Sequence, residues 1–465
     1  MHQINVKVGG KNFSVEWDGQ DYPDEQQLQK IVQRIRDENP DKKLKPASEV
    51  TALVVDNGHF FELARTLART YKKVYLYNNN ISEAPKMDKF FMGYGYEEIE
   101  CVGSIYGEHY DKADAVIFPD VGQGSEQVKI AKEKPVWGCR MAEALELDRE
   151  WTKKFLKKIG MPVGPFEVVM GIEELRKFLK EHKDYYVKIS RWRGSFESFL
   201  SSDYLSIDTD IDSITHRLGM MKYIQRFVCE KALPDKVELG MDCYTVNGEW
   251  PSKCLGGIEK KDAGYGGSVR KWKDFPRPVT ELNEKFSPYL KEMGMCGNIS
   301  TEGRIGEDHK FFNIDNTLRR PSPPGELMQE IYKNEAEIIW QGANGVLVDP
   351  EEAGKFGLQV NIKSGNGRDG EWQEIEYPKE FDRNVKLHNA CIIKGRKYII
   401  PTPWHLEEIG GIVAWGNSFK EAEKMLKEVA EQVKGPTLII DTESVVADVE
   451  KELEKSAALG LAMVP

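Results

Sequence analysis

Strand, helix, strand in immediate succession is the most restrictive pattern in this 465-residue chain. Thr51-Ala-Leu-Val-Val-Asp56 is a continuous apolar run, followed by a helical pattern carrying Phe60, Leu63, Ala64, Leu67 and Ala68, and then by Val74-Tyr-Leu-Tyr77. Two apolar runs joined by a helix predict a parallel pair, because a parallel connection needs a crossover where an antiparallel one needs only a turn. Ala115-Val-Ile-Phe-Pro119 and Pro135-Val-Trp-Gly138 add further strands. A small doubly wound domain is therefore expected over residues 49–140. Asp56-Asn-Gly58 and Asp120-Val-Gly-Gln-Gly124 fall just past strand ends, where such sheets bind ligands, although ordinary turn chemistry accounts for the same residues. No Gly-x-Gly-x-x-Gly follows the first strand, so a dinucleotide cofactor is not indicated.

Two later runs read as the arms of one hairpin. In Asn298-Ile-Ser-Thr-Glu-Gly-Arg-Ile305, Ile299 and Ile305 share a face, opposite Asn298, Ser300, Glu302 and Arg304. After the turn at Gly306-Glu-Asp-His309, Phe312, Ile314 and Leu318 oppose Asn313, Asp315, Thr317 and Arg319. A symmetric turn pairs Glu302 with Asn313 and sets Asp315 on the diagonal, roughly 5–8 Å away. A divalent cation fits between such carboxylates, and hard oxygen donors favour magnesium over zinc. A solvated hairpin with its acids in water is the alternative. Val237–Val246 also alternates, with Val237, Leu239, Met241 and Cys243 on one face and Glu238, Gly240 and Asp242 on the other, and Asn247-Gly248 then makes a tight turn.

Between these regions, Trp151, Phe155, Leu156 and Ile159 have helical spacing, Gly160 ends the helix, and Met161-Pro-Val-Gly-Pro165 follows as a stiff linker. Tyr185-Tyr-Val-Lys-Ile189 reads as a strand ending near Lys188. Taken in order, these segments resemble the ATP-grasp superfamily, most closely ligases of the phosphoribosylamine-glycine ligase and biotin carboxylase kind. The metal-binding end of that family has an acid on one strand and, about a dozen residues later, an acid, an amide and an arginine at alternate positions. The resemblance matches Glu302, Asp315, Thr317 and Arg319 to those places, with Thr317 standing where asparagine is usual and Asn313 and Asn316 nearby as substitutes. An alternative register puts Asn313 and Asp315 in the acid and amide places and loses the arginine.

The same resemblance implies that Arg149, in place of a lysine, and Lys188 hold the phosphates of ATP, and that Glu238 faces nucleotide or metal. It implies that Tyr223-Ile-Gln-Arg-Phe-Val228 links two nucleotide-binding lobes, with Gln225 at an acidic position and the main chain of Arg226 and Val228 reading adenine. Ser190-Arg-Trp-Arg-Gly-Ser-Phe-Glu-Ser198 takes the place of a glycine-rich flap, with Arg191, Arg193 and Ser195 for phosphate. Ile258-Glu-Lys-Lys-Asp-Ala-Gly-Tyr-Gly-Gly267 takes the place of a basic loop, bringing Lys260, Lys261 and Arg270 to an anionic substrate, or else a charged surface loop. In such enzymes a carboxylate attacks the γ-phosphate of ATP and an amine displaces phosphate from the acylphosphate. Arg319 and Lys188 are then the catalytic cations, and Glu302, Asp315 and Thr317 hold Mg2+, with Mn2+ as its substitute.

The expected class is α/β (α+β): an ATP-grasp fold with an N-terminal doubly wound pre-ATP-grasp domain and a C-terminal β-rich domain. Boundaries are expected at 1–48 for an appendage of two short alternating stretches and a polar helix, then 49–140, 141–330 for the nucleotide-binding part, and 331–465. The partners implied are ATP and small carboxylate and amine substrates, and a homo-oligomer is compatible. A catalytically silent ATP-binding module and a biotin carboxylase-like activity are the rivals. No tethered biotin segment is visible in the chain.

Composition sets outer limits. No run of about 18 apolar residues occurs, so no membrane span is expected. A net charge of −11 disfavours a duplex-DNA footprint, which needs a Lys/Arg excess. Seven cysteines, an odd number without a Cys-x-x-Cys pair, fit a reducing cytoplasm. The eight histidines lack metal spacing such as His-x-x-x-His, which disfavours zinc.

Overall fold

The structure, a computed structural model, describes residues 2–8, 11–19, 23, 27, 30, 31, 34, 44–78, 82, 83, 86, 87, 92–190, 198–233, 237–306, 308–401 and 406–461. Ala52, Leu53, Val54 and Val55 are each no more than 1% exposed, as a strand covered on both faces requires. Their strand, Thr51–Asp56, lies at the centre of a five-stranded parallel sheet in the order Glu100–Val102, Lys73–Asn78, Thr51–Asp56, Ala115–Ile117, Val136–Trp137. The helix Phe61–Ala68 buries Leu63, Ala64 and Leu67 in the adjoining core.

A four-stranded antiparallel sheet follows, ordered Phe166–Met170, Arg226–Lys231, Tyr185–Ile189, Ser198–Ser201. Alternation divides its faces. Val187, Ile189, Phe227 and Cys229 pack under the helices Ile172–Glu181 and Tyr204–Leu218, through Leu175, Leu179, Ile211 and Ile214. Lys188, Val228 and Glu230 consequently occupy the other face.

The largest sheet is antiparallel and has nine strands. Its path is Phe312–Thr317, Cys296–Ile305, Val237–Val246, Lys253–Lys260, Gly264–Lys271, Phe356–Ser364, Glu408–Gly416, Val385–Leu387, and Leu438–Ile439 pairs with Phe356–Ser364 off that path. The helix Arg277–Glu292 buries Val279, Leu282, Phe286 and Leu290 in the core beneath the hairpin. The C-terminal helix Thr442–Ala458 reaches the sheet at Gly264 and Gly266; a Cβ on Gly266 would lie 2.5 Å from Val449 Cγ1. Glycine is what admits the helix.

This sheet runs across the boundary expected at residue 330. Phe356–Ser364 pairs directly with Gly264–Lys271, so the C-terminal residues extend the same sheet before adding a separate three-stranded one, Gln373–Ile375, Arg396–Ile399, Ala390–Ile393. At the N-terminus, His2–Val8 and Lys11–Trp17 pair antiparallel, matching their alternation. No described helix is long and apolar enough to cross a membrane.

Candidate functional site

The two arms Cys296–Ile305 and Phe312–Thr317 pair as expected, but not in the symmetric register. Glu302 lies opposite Asp315, and Gly303 opposite Asn313, with a shift between them. A β-bulge absorbs one residue and turns Asn313 away from the Asp315 face. Asn313 Nδ2 donates to the carbonyls of Glu302 and Asp315 at 2.9 and 3.0 Å, and exchanges bonds of 2.9 and 3.0 Å with the amide of Asn316. Both asparagines are buried and lock the bulge, which corrects their reading as substitute metal ligands. Directly opposed positions hold their Cβ atoms about 4.5–5.5 Å apart, closer than the diagonal predicted.

The next strand places Gly240 opposite Glu302 and Gly257 opposite Gly240, where the Tyr265 phenol lies over Gly257. Glu259 enters from the strand Lys253–Lys260 and is hydrogen-bonded to Glu302. Burial and the neighbouring carboxylates push Glu259 up to about 8 and Glu302 well above its ordinary range. Both carboxyls are thereby held toward the neutral acid. Glu238 adds to the same negative field but is paired with Arg304, whose Nη2 lies 2.8 Å from Glu238 Oε2. Asp242, deeper on this face, is pushed up to about 6 by burial although Ser300 Oγ and Tyr265 Oη donate to it at 2.7 and 2.8 Å.

Cations arrive from a helix and from the smaller sheet. Arg149, at the start of the helix Arg149–Lys158, pairs with Asp315, and its backbone N–H donates to Ser190 Oγ at 3.2 Å. Burial alone would raise Asp315, but Arg149 and Lys188 outweigh it and hold the carboxyl below its ordinary value. Lys188 Nζ donates to the carbonyl of Ile314 and lies 3.3 Å from Glu230 Oε1. Lys153 Nζ donates to the Asn313 carbonyl at 3.1 Å and pairs with Glu230 Oε2 at 2.7 Å. The bulge thus aims two successive carbonyls at two buried lysines, one on that helix and one on the smaller sheet.

The remaining expected residues divide. Thr317 is half-buried opposite Ser300, two residues past Asp315. Arg319 Nε lies 2.9 Å from Glu146 Oε1 and 3.7 Å from Asp120 Oδ1, beside the end of the parallel sheet. Gln225 and Arg226 line an open cleft of about 530 Å³ together with Asp148, Glu150 and Ser190, and Arg226 pairs with Glu150 at 2.7 Å. Val228 does not fit a linker. It is fully buried in the strand Arg226–Lys231, flanked by Val168 and Lys188 on the two neighbouring strands. The strand continues to Lys231 and pairs on both sides, so the main chain of Val228 belongs to a ladder and is not available to adenine.

The expected basic loop is mostly strand. Lys253–Lys260 and Gly264–Lys271 pair closely, with Lys260 bound to Asp448 at 2.8 Å and Lys261 donating to the Ser198 carbonyl at 2.7 Å. The flap residues Arg191, Arg193 and Ser195 lie outside the described residues. Sequence reading missed Glu259, Lys153, Glu230 and Glu146. Alternation through Gly257, Ile258 and Glu259 could have found Glu259; the other three are recognisable only from partners far along the chain.

Five carboxylates on one sheet face, facing three buried cations, form a donor set of hard oxygens suited to magnesium and a counter-surface suited to phosphate. No protein-family model matches the chain, and no curated protein matches it in sequence. Solved structures do. Phosphoribosylamine–glycine ligase from Thermotoga maritima superposes with a TM-score of 0.64 at 17% identity, over 84% of this chain and 99% of that one. Biotin carboxylase from Campylobacter jejuni, in a β,γ-ATP complex, gives 0.60 at 16% identity, over 87% and 96%. N5-carboxyaminoimidazole synthetase from Staphylococcus aureus with ADP gives 0.55 at 14%, over 83% and 98%. With the acidic hairpin facing a lysine-bearing small sheet and a parallel sheet alongside, the chain has the ATP-grasp fold.

Proposed function

We propose that this protein is an ATP-dependent ligase that joins a carboxylate to an amine through an acylphosphate. The observation that carries the reading is the meeting of Glu302, Asp315 and Glu259 with Arg149 and Lys153 of one helix and Lys188 of the smaller sheet. Carboxylates resist amines, whereas an acylphosphate has a good leaving group, so the protein must align the reactants and compensate charge. Arg149, Lys188 and Lys153 take the phosphate tail. Glu302, Asp315 and Glu259 hold magnesium, which neutralises charge at the β,γ-phosphates when bound. Arg319, with Glu146 and Asp120 fixing it, supplies positive charge at the parallel-sheet end, where the substrates meet. The nucleotide base lies toward the cleft at Gln225 and Arg226.

The direct pairing of Arg149 with Asp315 favours a second reading, a nucleotide-binding module without turnover, because it joins a phosphate ligand to a metal ligand. Magnesium-dependent ADP release, measured across a panel of carboxylates and amines, separates the two. Release that needs both an acid and an amine supports the ligase; nucleotide binding with no release for any pair supports the silent module.

A further inference from the structure

A second group of metal-type side chains lies outside the acids just described. His59, His388 and Glu408 each offer one ligand atom, all within 4.8 Å of one another. They come from the turn after the central parallel strand, the residue after Val385–Leu387, and the start of Glu408–Gly416, so most of the chain separates His59 from the other two. His388 is 3% exposed, and neither of its ring nitrogens makes a hydrogen bond of good geometry with the protein. Its Nε2 lies 3.3 Å from Glu326 Oε1 and 3.7 Å from Glu408 Oε1. Asn361 Nδ2 donates to Glu408 Oε2 at 2.5 Å, while its own buried Oδ1 has no partner.

An interior imidazole ordinarily donates through one nitrogen and accepts through the other, and leaving buried polar atoms unpaired costs on the order of 1–3 kcal/mol each. The His59 and His388 rings lie tilted against one another with centroids 4.0 Å apart, which brings both imidazoles beside Glu408. Two imidazoles and a carboxylate make a softer donor set than the all-oxygen group around Glu302, and one suited to a first-row transition ion. Glu326 is itself fixed, accepting from Ser322 Oγ at 3.0 Å and Gln359 Nε2 at 2.8 Å, as a carboxylate that orients a ligating histidine should be.

We propose that His59, His388 and Glu408 bind a divalent first-row transition-metal ion of the zinc kind, with Glu326 orienting His388. The site lies beside the carboxyl end of the parallel sheet, where folds of this kind admit ligands, and three protein ligands leave a coordination position open. It stands independently of the ligase reading.

The test strips the full-length protein with chelator and titrates it with Co2+, following visible absorption, then with Zn2+ as competitor. One equivalent of nitrogen-ligated cobalt, displaced by zinc, is expected. His59→Gln, His388→Gln and Glu408→Gln each weaken binding by more than about tenfold, and Asp315→Asn leaves the cobalt spectrum unchanged. His59 is half-buried on a turn, so His59→Gln remains informative where His388→Gln fails to fold. Absence of stoichiometric cobalt binding in the native protein overturns the proposal and leaves His388 as an ion-paired imidazolium. Unchanged binding in His59→Gln, or loss of the cobalt bands in Asp315→Asn, also overturns it.

Discussion

At Asp315 two demands compete. Burial favours the neutral acid, while Arg149 and Lys188 favour the carboxylate, and the cations prevail. Asp315→Asn keeps the shape and removes the charge. ATP turnover should be abolished while the circular-dichroism melt stays native-like; native turnover would remove Asp315 from the site. Glu259→Gln should act differently, since burial and the neighbouring carboxylates already favour the neutral acid at Glu259. It should weaken magnesium dependence by roughly the tenfold cost of a lost supporting carboxylate, read as a rise in the magnesium concentration needed for half-maximal ADP release. Spacing made the shared face of Glu302 and Asp315 legible. Glu259 was not, because Lys260-Lys-Asp-Ala-Gly264 has the composition of a loop although the chain is extended through Lys260. Glu230 was hidden for another reason: only the fold brings Lys153 and Lys188 to it.

The bulge at Asn313 is the element on which the site turns. It sets Asp315 opposite Glu302 and delivers the carbonyls of Asn313 and Ile314 to Lys153 and Lys188. Asn313→Ala leaves the buried Asn316 amide without its partner, at a cost of about 1–3 kcal/mol. Urea denaturation should report that loss, and ADP release should fall with it as Asp315 drifts from register. Full turnover at reduced stability would show that the bulge only holds the hairpin together. Period-two alternation revealed both arms but not the bulge, because an extra residue inverts faces without changing composition. The resemblance read Tyr223–Val228 as a linker, whereas Arg226–Lys231 is a strand whose Arg226, Val228 and Glu230 share the face away from the two helices.

For the whole molecule, the parallel sheet and the nine-stranded sheet are joined by buried charge. Glu330 is 1% exposed and paired with Lys386, Arg69 and Arg383, which come from the far strand, from beyond the helix Phe61–Ala68, and from the turn before that strand. Burial would raise this carboxyl, but those cations outweigh it and hold it at about 2. A carboxylate depressed in the folded state contributes stability that is fully present above its unfolded value near 4.5 and is lost as pH falls toward 2. The melting temperature should therefore drop over that interval. Glu330→Gln should cost about 3–5 kcal/mol near neutrality by stranding Lys386, and should flatten the acid limb. The order of strands and helices made the overall architecture readable, but a sheet continuing past residue 330 is a matter of long-range pairing that no local pattern encodes. The central claim is that acids on the large sheet and cations from the helix Arg149–Lys158 and the small sheet grip a magnesium nucleotide between them. Calorimetric titration with a non-hydrolysable ATP analogue tests it most directly: binding should require Mg2+ and weaken by more than about tenfold in both Asp315→Asn and Lys188→Met. Equal affinity without Mg2+, or in both variants, would contradict the account.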